Sequence, residues 1–315
     1  MTRPTIPTYK IKRTGCEIPI IGFGSGTKWR IAKTTGENKD QFMDELTKQI
    51  VSAVDCGFNH IDTADVYRTH QEVGSGLDEC CLPRNKLWVT DKYHANSSTL
   101  LNSKGPRHSL EMSLQKLHLT YIDLYLIHSP EVTLEKAGID LKEAWRQMEE
   151  LYEIGLAKNI GVSNFDVPSL QYILTFAKYP PMVNQIEFNP YLQQQSPGII
   201  EYCKRNDILI EAYSPLVPLT GGRPGPLCDV LPALSRKYGK SEMQILLRWA
   251  IQNNVVVLTT SSRKERLEES LAIFDFELSP EDFNQITRVG RQKIFRGFFG
   301  RMYSKYDNDL YKDLK

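Results

Sequence analysis

The feature that most constrains this chain is an alternation of short apolar segments with segments of helical periodicity, repeated eight times. The apolar segments are residues 18–23, 58–62, 87–91, 122–128, 158–162, 182–187, 208–213 and 255–258. Between them fall helix candidates such as residues 42–56, 109–117, 141–154 and 242–252. Within 141–154, Leu141, Ala144, Trp145, Met148 and Leu151 recur at steps of three and four, which draws one apolar stripe. Continuous apolar strands flanked by such helices predict a parallel sheet covered on both faces. Eight units fit a (β/α)8 TIM barrel, whereas an open doubly wound sheet more often has about five to seven strands and carries a phosphate-binding glycine fingerprint. That fingerprint is missing. Gly22-Phe-Gly24-Ser-Gly26 lacks its spacing and reads as a loop turning tightly at the barrel mouth. Residues 9–16 are expected to form a hairpin or strand that plugs the bottom of the barrel. Residues 216–228, rich in Pro and Gly, read as a long exposed loop. Length alone would also fit two small domains. With no internal repeat and no linker, the expectation is one domain over residues 1–315.

The chain has 315 residues, a formal net charge of +1 and 41% hydrophobic residues, as in soluble globular proteins. No basic tract stands out, which argues against a nucleic-acid partner. The start, Met1-Thr-Arg-Pro-Thr-Ile-Pro, lacks the apolar run of a secretory signal, and no stretch is long and apolar enough to span a bilayer. Cys16, Cys56, Cys80, Cys81, Cys203 and Cys228 form no CxxC pair, so free thiols in a reducing cytoplasm are expected. The histidines, His60, His70, His94, His108, His118 and His128, make no HxH or similar ligand pair, so no metal site is expected.

Polar groups gather at the carboxyl ends of the apolar segments. His60-Ile-Asp-Thr-Ala-Asp-Val-Tyr67 places an acid and a phenol there, Leu87-Trp-Val-Thr-Asp-Lys92 an amine, and Ile122-Asp-Leu-Tyr-Leu-Ile-His128 an imidazole. Ser163-Asn164, Gln185, Tyr213-Ser214 and residues 259–262 follow at later ends. In a (β/α)8 barrel the active site lies on that rim. Taken singly, each residue has an ordinary reading: His128 as a hydrogen-bonded structural histidine, Lys92 as a surface charge, Asp62 as a loop or helix cap, Tyr213 as core. Converging on one rim, they read as a proton-transfer site in a ligand-filled mouth.

The chain resembles the aldo-keto reductases from about residue 9 to 278. The motifs that carry the likeness are Gly57-Phe-Asn-His-Ile-Asp-Thr-Ala-Asp-Val-Tyr67, Leu126-Ile-His-Ser-Pro130, Lys158-Asn-Ile-Gly-Val-Ser-Asn-Phe165, Asn184-Gln-Ile-Glu187 and Ala212-Tyr-Ser-Pro-Leu216. Within the family it is most similar to fungal reductases of 2-keto amides and of conjugated polyketones such as ketopantoyl lactone and isatin, through Gly26-Thr-Lys-Trp29, Val183-Asn-Gln-Ile-Glu-Phe188 and Thr259-Thr-Ser-Ser-Arg263.

The resemblance implies a catalytic tetrad of Asp62, Tyr67, Lys92 and His128 and a cofactor, NADPH/NADP+, at the barrel mouth. Tyr67 would be the general acid, its pKa lowered by Lys92; Asp62 would keep Lys92 charged, and neutral His128 would position the carbonyl. Ser163, Asn164 and Gln185 match residues that hold the nicotinamide carboxamide, and Tyr213 matches the aromatic that stacks on the ring. Thr27, Ser214 and Leu216 would line the ribose and pyrophosphate path. The common Pro-Lys-Ser after the eighth strand is here Thr259-Thr260-Ser261, without its Lys. Ser261, Ser262, Arg263, Lys264 and Arg266 follow at once and suit a 2′-phosphate, with Glu269 near the adenine. Trp29, Tyr93, His94, Ser129 and Phe298 would line the substrate pocket. Ser129 stands where many mammalian relatives have Trp, which leaves room for a compact polar dicarbonyl. Alternatives are an aldehyde or pentose reductase and, from another class, a cofactor-binding regulatory subunit. The expected partner is a small-molecule carbonyl, with no membrane association and a monomeric or homodimeric state.

Overall fold

The computed structural model describes residues 5–26, 28–35, 39, 41–95 and 105–311; Thr27 and the last four residues of the tail lie outside them. A two-stranded antiparallel hairpin opens the fold, β1 (Thr8–Lys10) pairing with β2 (Glu17–Pro19). Eight parallel strands then close into a barrel: β3 (Ile21–Gly24), β4 (His60–Asp62), β5 (Trp88–Tyr93), β6 (Leu124–Ile127), β7 (Ile160–Ser163), β8 (Val183–Glu187), β9 (Leu209–Tyr213) and β10 (Val256–Thr259). Spatial order follows chain order, and β10 returns to pair with β3. The alternation in the sequence has produced the (β/α)8 architecture it predicts.

One expected strand divides. Residues 18–23 straddle the end of β2 and the start of β3, because Pro19 has no N–H to extend a ladder and the chain bends at Ile20. Gly22 and Gly24 therefore lie in β3 itself, not in the mouth loop expected of them. A Cβ at Gly22 would stand 2.7 Å from Leu258 and 2.9 Å from the His60 ring, so this close crossing inside the barrel requires glycine.

The covering helices form where the apolar stripes run. Helix Leu141–Glu153 starts at Asp140, whose carboxylate accepts the N–H of Glu143 at 2.8 Å. Its stripe of Leu141, Ala144, Trp145, Met148 and Leu151 is buried against the barrel. Truncating a side chain as large as Trp145 there would cost about 3–5 kcal/mol. Helix Glu242–Gln252 opens on a reciprocal capping box between Ser241 and Gln244.

The hairpin sits under the amino ends of the barrel strands. Tyr9 donates to the carbonyl of Ile251, just before β10, at 3.2 Å, and Thr14 to the Asn159 side chain, just before β7, at 2.6 Å. Lys12 pairs with Asp207, just before β9. Ile11 and Ile18 are buried, and the Pro19 carbonyl reaches His60 at 3.3 Å. This is the plug expected at the barrel floor.

Residues 216–228 are only in part the exposed loop expected from their Pro and Gly content, Thr220, Gly221, Arg223 and Pro224 being exposed. Val217, Pro218, Gly222 and Leu227 are buried. The Leu227 N–H donates to the Tyr191 hydroxyl at 3.1 Å, and Lys293 donates to the carbonyls of Gly222 and Pro224 at 2.6 and 2.7 Å. With two short 3-10 turns, Val217–Leu219 and Pro226–Cys228, backbone groups satisfied in this way can lie inside without a strand or an α-helix. Among the described residues no helix is long and apolar enough to cross a membrane, and the six cysteines form no disulfide.

Candidate active site

The four residues of the expected tetrad meet at the carboxyl end of the barrel. β4 ends at Asp62, and a short helical turn, Asp65–Tyr67, returns Tyr67 toward β5. Lys92, on β5, donates to both carboxylate oxygens of Asp62 at 2.7 Å and to the Thr63 carbonyl at 2.7 Å. Its ammonium also lies 5.1 Å from the centre of the Tyr67 ring. His128, directly after β6, meets that ring edge-on at 5.7 Å, and His94 meets His128 edge-on at 5.5 Å. A Cβ at Gly26 would fall 2.8 Å from the Tyr67 ring, so the missing side chain there makes room for the phenol.

Burial governs the electrostatics. Asp62 and Lys92 are 3% and 0% exposed, so neither charge is compensated by water. Burial works against the Lys92 ammonium, but the facing Asp62 carboxylate and Tyr67 phenol outweigh it and hold Lys92 above its ordinary range. Burial pushes the Asp62 carboxyl up, opposed by Lys92 and by a hydrogen bond from Gln185. Burial likewise raises the Tyr67 phenol, with Lys92 pulling the other way. Burial prevails, so the phenol titrates above the usual tyrosine value, the reverse of the lowered pKa expected. His128 is held well below the usual histidine value by burial first and by the Lys92 charge second, so it is neutral near pH 7.

Around this centre lie the residues expected at the nicotinamide. Ser163 donates to the Gln185 carbonyl at 2.8 Å, and Asn164 donates to the Ser163 hydroxyl and the His128 carbonyl, each at 2.9 Å. The other side of the Asn164 amide accepts from Tyr213 at 2.8 Å and from Gln195 at 2.9 Å. Gln185 donates one amide hydrogen to Asp62 at 2.9 Å and the other to Glu211 at 2.7 Å. Its Oε1 makes no hydrogen bond among the described residues and can accept from a carboxamide. Tyr213 presents its ring beside Phe298, which meets it edge-on at 5.7 Å. Ser214 and Leu216, half-buried, follow on the same connection.

At the other end, Ser261 is half-buried, while Ser262, Arg263, Lys264, Arg266 and Glu269 are exposed at the start of helix Lys264–Leu271. Among the described residues Arg263 and Arg266 make no ion pair, while Lys264 approaches Glu268 at 3.9 Å. Two unpaired guanidinium groups beside two hydroxyls fit a phosphate of the cofactor.

Of the expected substrate-pocket residues, His94 stands against His128, Phe298 against Tyr213, Ser129 directly follows His128 and Trp29 lies on the helix beside the turn bearing Tyr67, whereas Tyr93 faces away. Successive strand residues face opposite ways, so with Lys92 inside the barrel Tyr93 points outward into the core beneath the helices, where it is 1% exposed. Trp29 belongs to helix Lys28–Thr34, which packs against the turn bearing Tyr67 and is pinned by a buried ion pair between Lys33 and Glu72. Thr27 lies outside the described residues.

Three polar residues of the site were not singled out by the sequence. Glu211 is a fully buried acid of β9, two residues before Tyr213 and so on the same inward face. The signal was present, a lone acid inside an apolar strand. Glu187, at the end of β8, accepts the N–H groups of Gly297 and Phe298 at 2.9 and 3.1 Å. Tyr303, in the tail, donates to the Asn164 carbonyl. Nothing local in the sequence marks these two, because their partners lie far along the chain. Among the described residues no cluster could hold a metal ion.

A closed parallel barrel with a buried acid–amine pair, a phenol and an imidazole at its carboxyl rim defines a (β/α)8-barrel oxidoreductase. The family model described as "Aldo/keto reductase family" matches residues 21–291, and the chain belongs to that family. It is 44% identical over 300 residues to the NADPH-dependent alpha-keto amide reductase of Saccharomyces cerevisiae, covering 93% of this chain and 94% of that one. It is 37% identical over 292 residues to the NAD/NADP-dependent indole-3-acetaldehyde reductase of Schizosaccharomyces pombe, covering 93% and 99%. The crystal structure of the Bombyx mori aldo-keto reductase in complex with NADP superposes with a TM-score of 0.79 at 31% identity, covering 98% and 100%.

Proposed function

We propose that the protein reduces compact polar carbonyl compounds to alcohols with NADPH, the substrate being a 2-keto lactone, keto amide, keto ester or cyclic diketone. The observation that carries this reading is the buried contact of Lys92 with Asp62 beneath Tyr67, with a neutral His128 against the same phenol. When bound, NADPH supplies the hydride. Negative charge then grows on the carbonyl oxygen, and Tyr67 donates the proton that quenches it. A phenol pushed up by burial is fully protonated at neutral pH, the form a proton donor needs. Lys92 stabilises the phenolate left behind, Asp62 fixes Lys92, and His128 donates a hydrogen bond to the carbonyl oxygen. Gln185, Asn164 and Ser163 would hold the nicotinamide carboxamide, and Tyr213 would stack on the ring. Arg263 and Arg266 would take the 2′-phosphate.

Ser129, buried directly after His128, supports the substrate class, since it is a small hydroxyl side chain where many mammalian relatives carry Trp. The budding-yeast relative supports it as well. The fission-yeast relative favours a second reading, an aldehyde reductase on the same scaffold. NADPH oxidation with ketopantoyl lactone, isatin, a 2-keto ester and a plain aldehyde, beside a Tyr67→Phe control, tests both. Fast dicarbonyl turnover lost in the control supports the proposal, and preference for the plain aldehyde replaces it with the second reading. Cofactor binding without turnover points to a regulatory subunit.

A further inference from the structure

We propose that Glu211 is a positioning residue for the reduction: a second buried carboxyl that holds Gln185 against Asp62 and, by gaining or losing its own proton, sets the pH range over which Tyr67 works as an acid. The inference rests on the reading of Tyr67 as the proton donor.

The geometry starts from Gln185. Its two amide hydrogens go to two carboxyl groups, Asp62 Oδ2 at 2.9 Å and Glu211 Oε2 at 2.7 Å. The Gln185 amide is thus a bridge between the acid that holds Lys92 and an acid that no step of the reduction uses. With both hydrogens committed, its Oε1 has a fixed direction. Glu211 therefore orients the amide expected at the nicotinamide.

The second oxygen of Glu211 shows which form the acid takes. Oε1 has no hydrogen-bond partner among the described residues and lies 3.5 Å from His60 Nε2. His60 Nδ1 faces the Pro19 carbonyl at 3.3 Å, and a carbonyl only accepts, so the ring hydrogen belongs on Nδ1. His60 Nε2 is then a lone pair, satisfied by the Thr90 hydroxyl at 3.1 Å, which itself accepts from the Trp88 indole at 3.2 Å. The ring therefore offers Glu211 Oε1 no hydrogen at 3.5 Å, and an ionised carboxylate would leave that buried oxygen without a donor, which disfavours the charged form. Glu211 carries a proton in this arrangement. Burial acts in the same direction, pushing His60 down to about 3 and, together with the nearby Asp62 charge, Glu211 up to about 8.

The charged and titratable groups facing Glu211 inside the barrel are His60 and Asp62 from β4 and Lys92 from β5. β8 contributes the neutral Gln185, and β10 contributes Val256, paired in register with Glu211. With Glu211 protonated, one carboxylate faces the Lys92 ammonium and the cluster is neutral. Once Glu211 ionises, a second negative charge offsets part of the field that Lys92 exerts on Tyr67. The phenol then keeps its proton to higher pH, and reduction persists into the alkaline range.

The test is the pH profile of kcat for carbonyl reduction in the wild type, in Glu211→Gln and in Val256→Ala, a packing control on the neighbouring strand. Gln at 211 keeps an acceptor for Gln185 and removes the charge. Its alkaline limb is expected to move to lower pH by about one unit, the scale set by removing a buried unit charge nearby, while Val256→Ala keeps the wild-type limb. Superimposable profiles for wild type and Glu211→Gln, or an equal shift in Val256→Ala, would overturn the proposal. Should Glu211→Gln not fold, carbon-13 NMR of glutamate-labelled wild-type protein decides. Two carboxyl resonances should titrate above the ordinary range, Glu187 near 7 and Glu211 near 8. Absence of any resonance titrating above the ordinary range once Glu187 is replaced by Gln overturns the proposal. That measurement needs no turnover, so it stands apart from the Tyr67→Phe result on which the functional reading depends.

Discussion

The hydroxyl of Tyr303 donates its hydrogen to the main-chain carbonyl of Asn164. Asn164 has a left-handed backbone, with φ of 59°, and its side chain ties Ser163, His128, Tyr213 and Gln195 together. The tail therefore fastens the residue that ties together the side chains proposed to hold the nicotinamide. Tyr306 and Arg296 reinforce the attachment, bonding Asp166 at 3.0 Å and the Gln195 carbonyl at 3.0 Å.

Tyr303→Phe should therefore weaken cofactor binding more than it slows the reaction. Loss of one buried hydrogen bond is worth about 1 kcal/mol, or roughly a fivefold rise in the Kd for NADPH. Quenching of protein fluorescence by NADPH measures it. An unchanged Kd would show that the tail does not support Asn164.

Asp62→Asn removes the charge facing Lys92 while keeping the shape. An ammonium buried without its counter-ion costs about 3–5 kcal/mol, so urea unfolding should show a lower midpoint and reduction should collapse with it. A variant as stable as the wild type would mean that Lys92 sheds its proton when Asp62 is neutral.

Glu187 makes tail docking sensitive to pH. Burial pushes its carboxyl from 4.5 up to about 7, against the two N–H groups it accepts. A folded-state pKa above the unfolded one means the native state binds more protons between the two values, so stability falls as pH rises through that window. The full effect is at most about 3 kcal/mol. Stability measured from pH 4.5 to 7.5 should decline more steeply for the wild type than for Glu187→Gln, and parallel curves would refute the assignment.

Arg263 and Arg266, without an ion pair among the described residues, set cofactor preference in the functional reading. Arg263→Ala should raise KM for NADPH by about tenfold, roughly 1.4 kcal/mol, and leave KM for NADH nearly unchanged. Parallel steady-state kinetics with the two nucleotides decide this, equal losses being the contrary result.

Ser129→Trp fills the space beside His128. It should raise KM for isatin and ketopantoyl lactone by about tenfold or more and affect a short linear aldehyde less. Equal effects on both would remove Ser129 as a determinant of substrate size.

The barrel and the polar residues at its rim were legible because both follow from local spacing, while the roles of the tetrad came from the resemblance. Strand period, helical stripe and the position of Asp62, Lys92 and His128 at strand ends can be counted along the chain. Tyr93 was misplaced for want of that same count: one residue from Lys92 on a strand is the opposite face. The partial burial of residues 216–228 was hidden because it depends on Tyr191 and Lys293, which are remote in sequence. Glu187 and Tyr303 escaped for the same reason. The net rise of the Tyr67 phenol depends on how completely it is desolvated, which residue identity does not record.

The hairpin beneath the strands bears on the order of events above them. With Ile11 and Ile18 buried at the floor and side chains filling the barrel above them, a molecule that reaches Tyr67 arrives from the rim. In the functional reading the cofactor lies nearest Gln185 and Tyr213, and there it would come first and go last. Shutting one end of the barrel thus imposes a queue at the other.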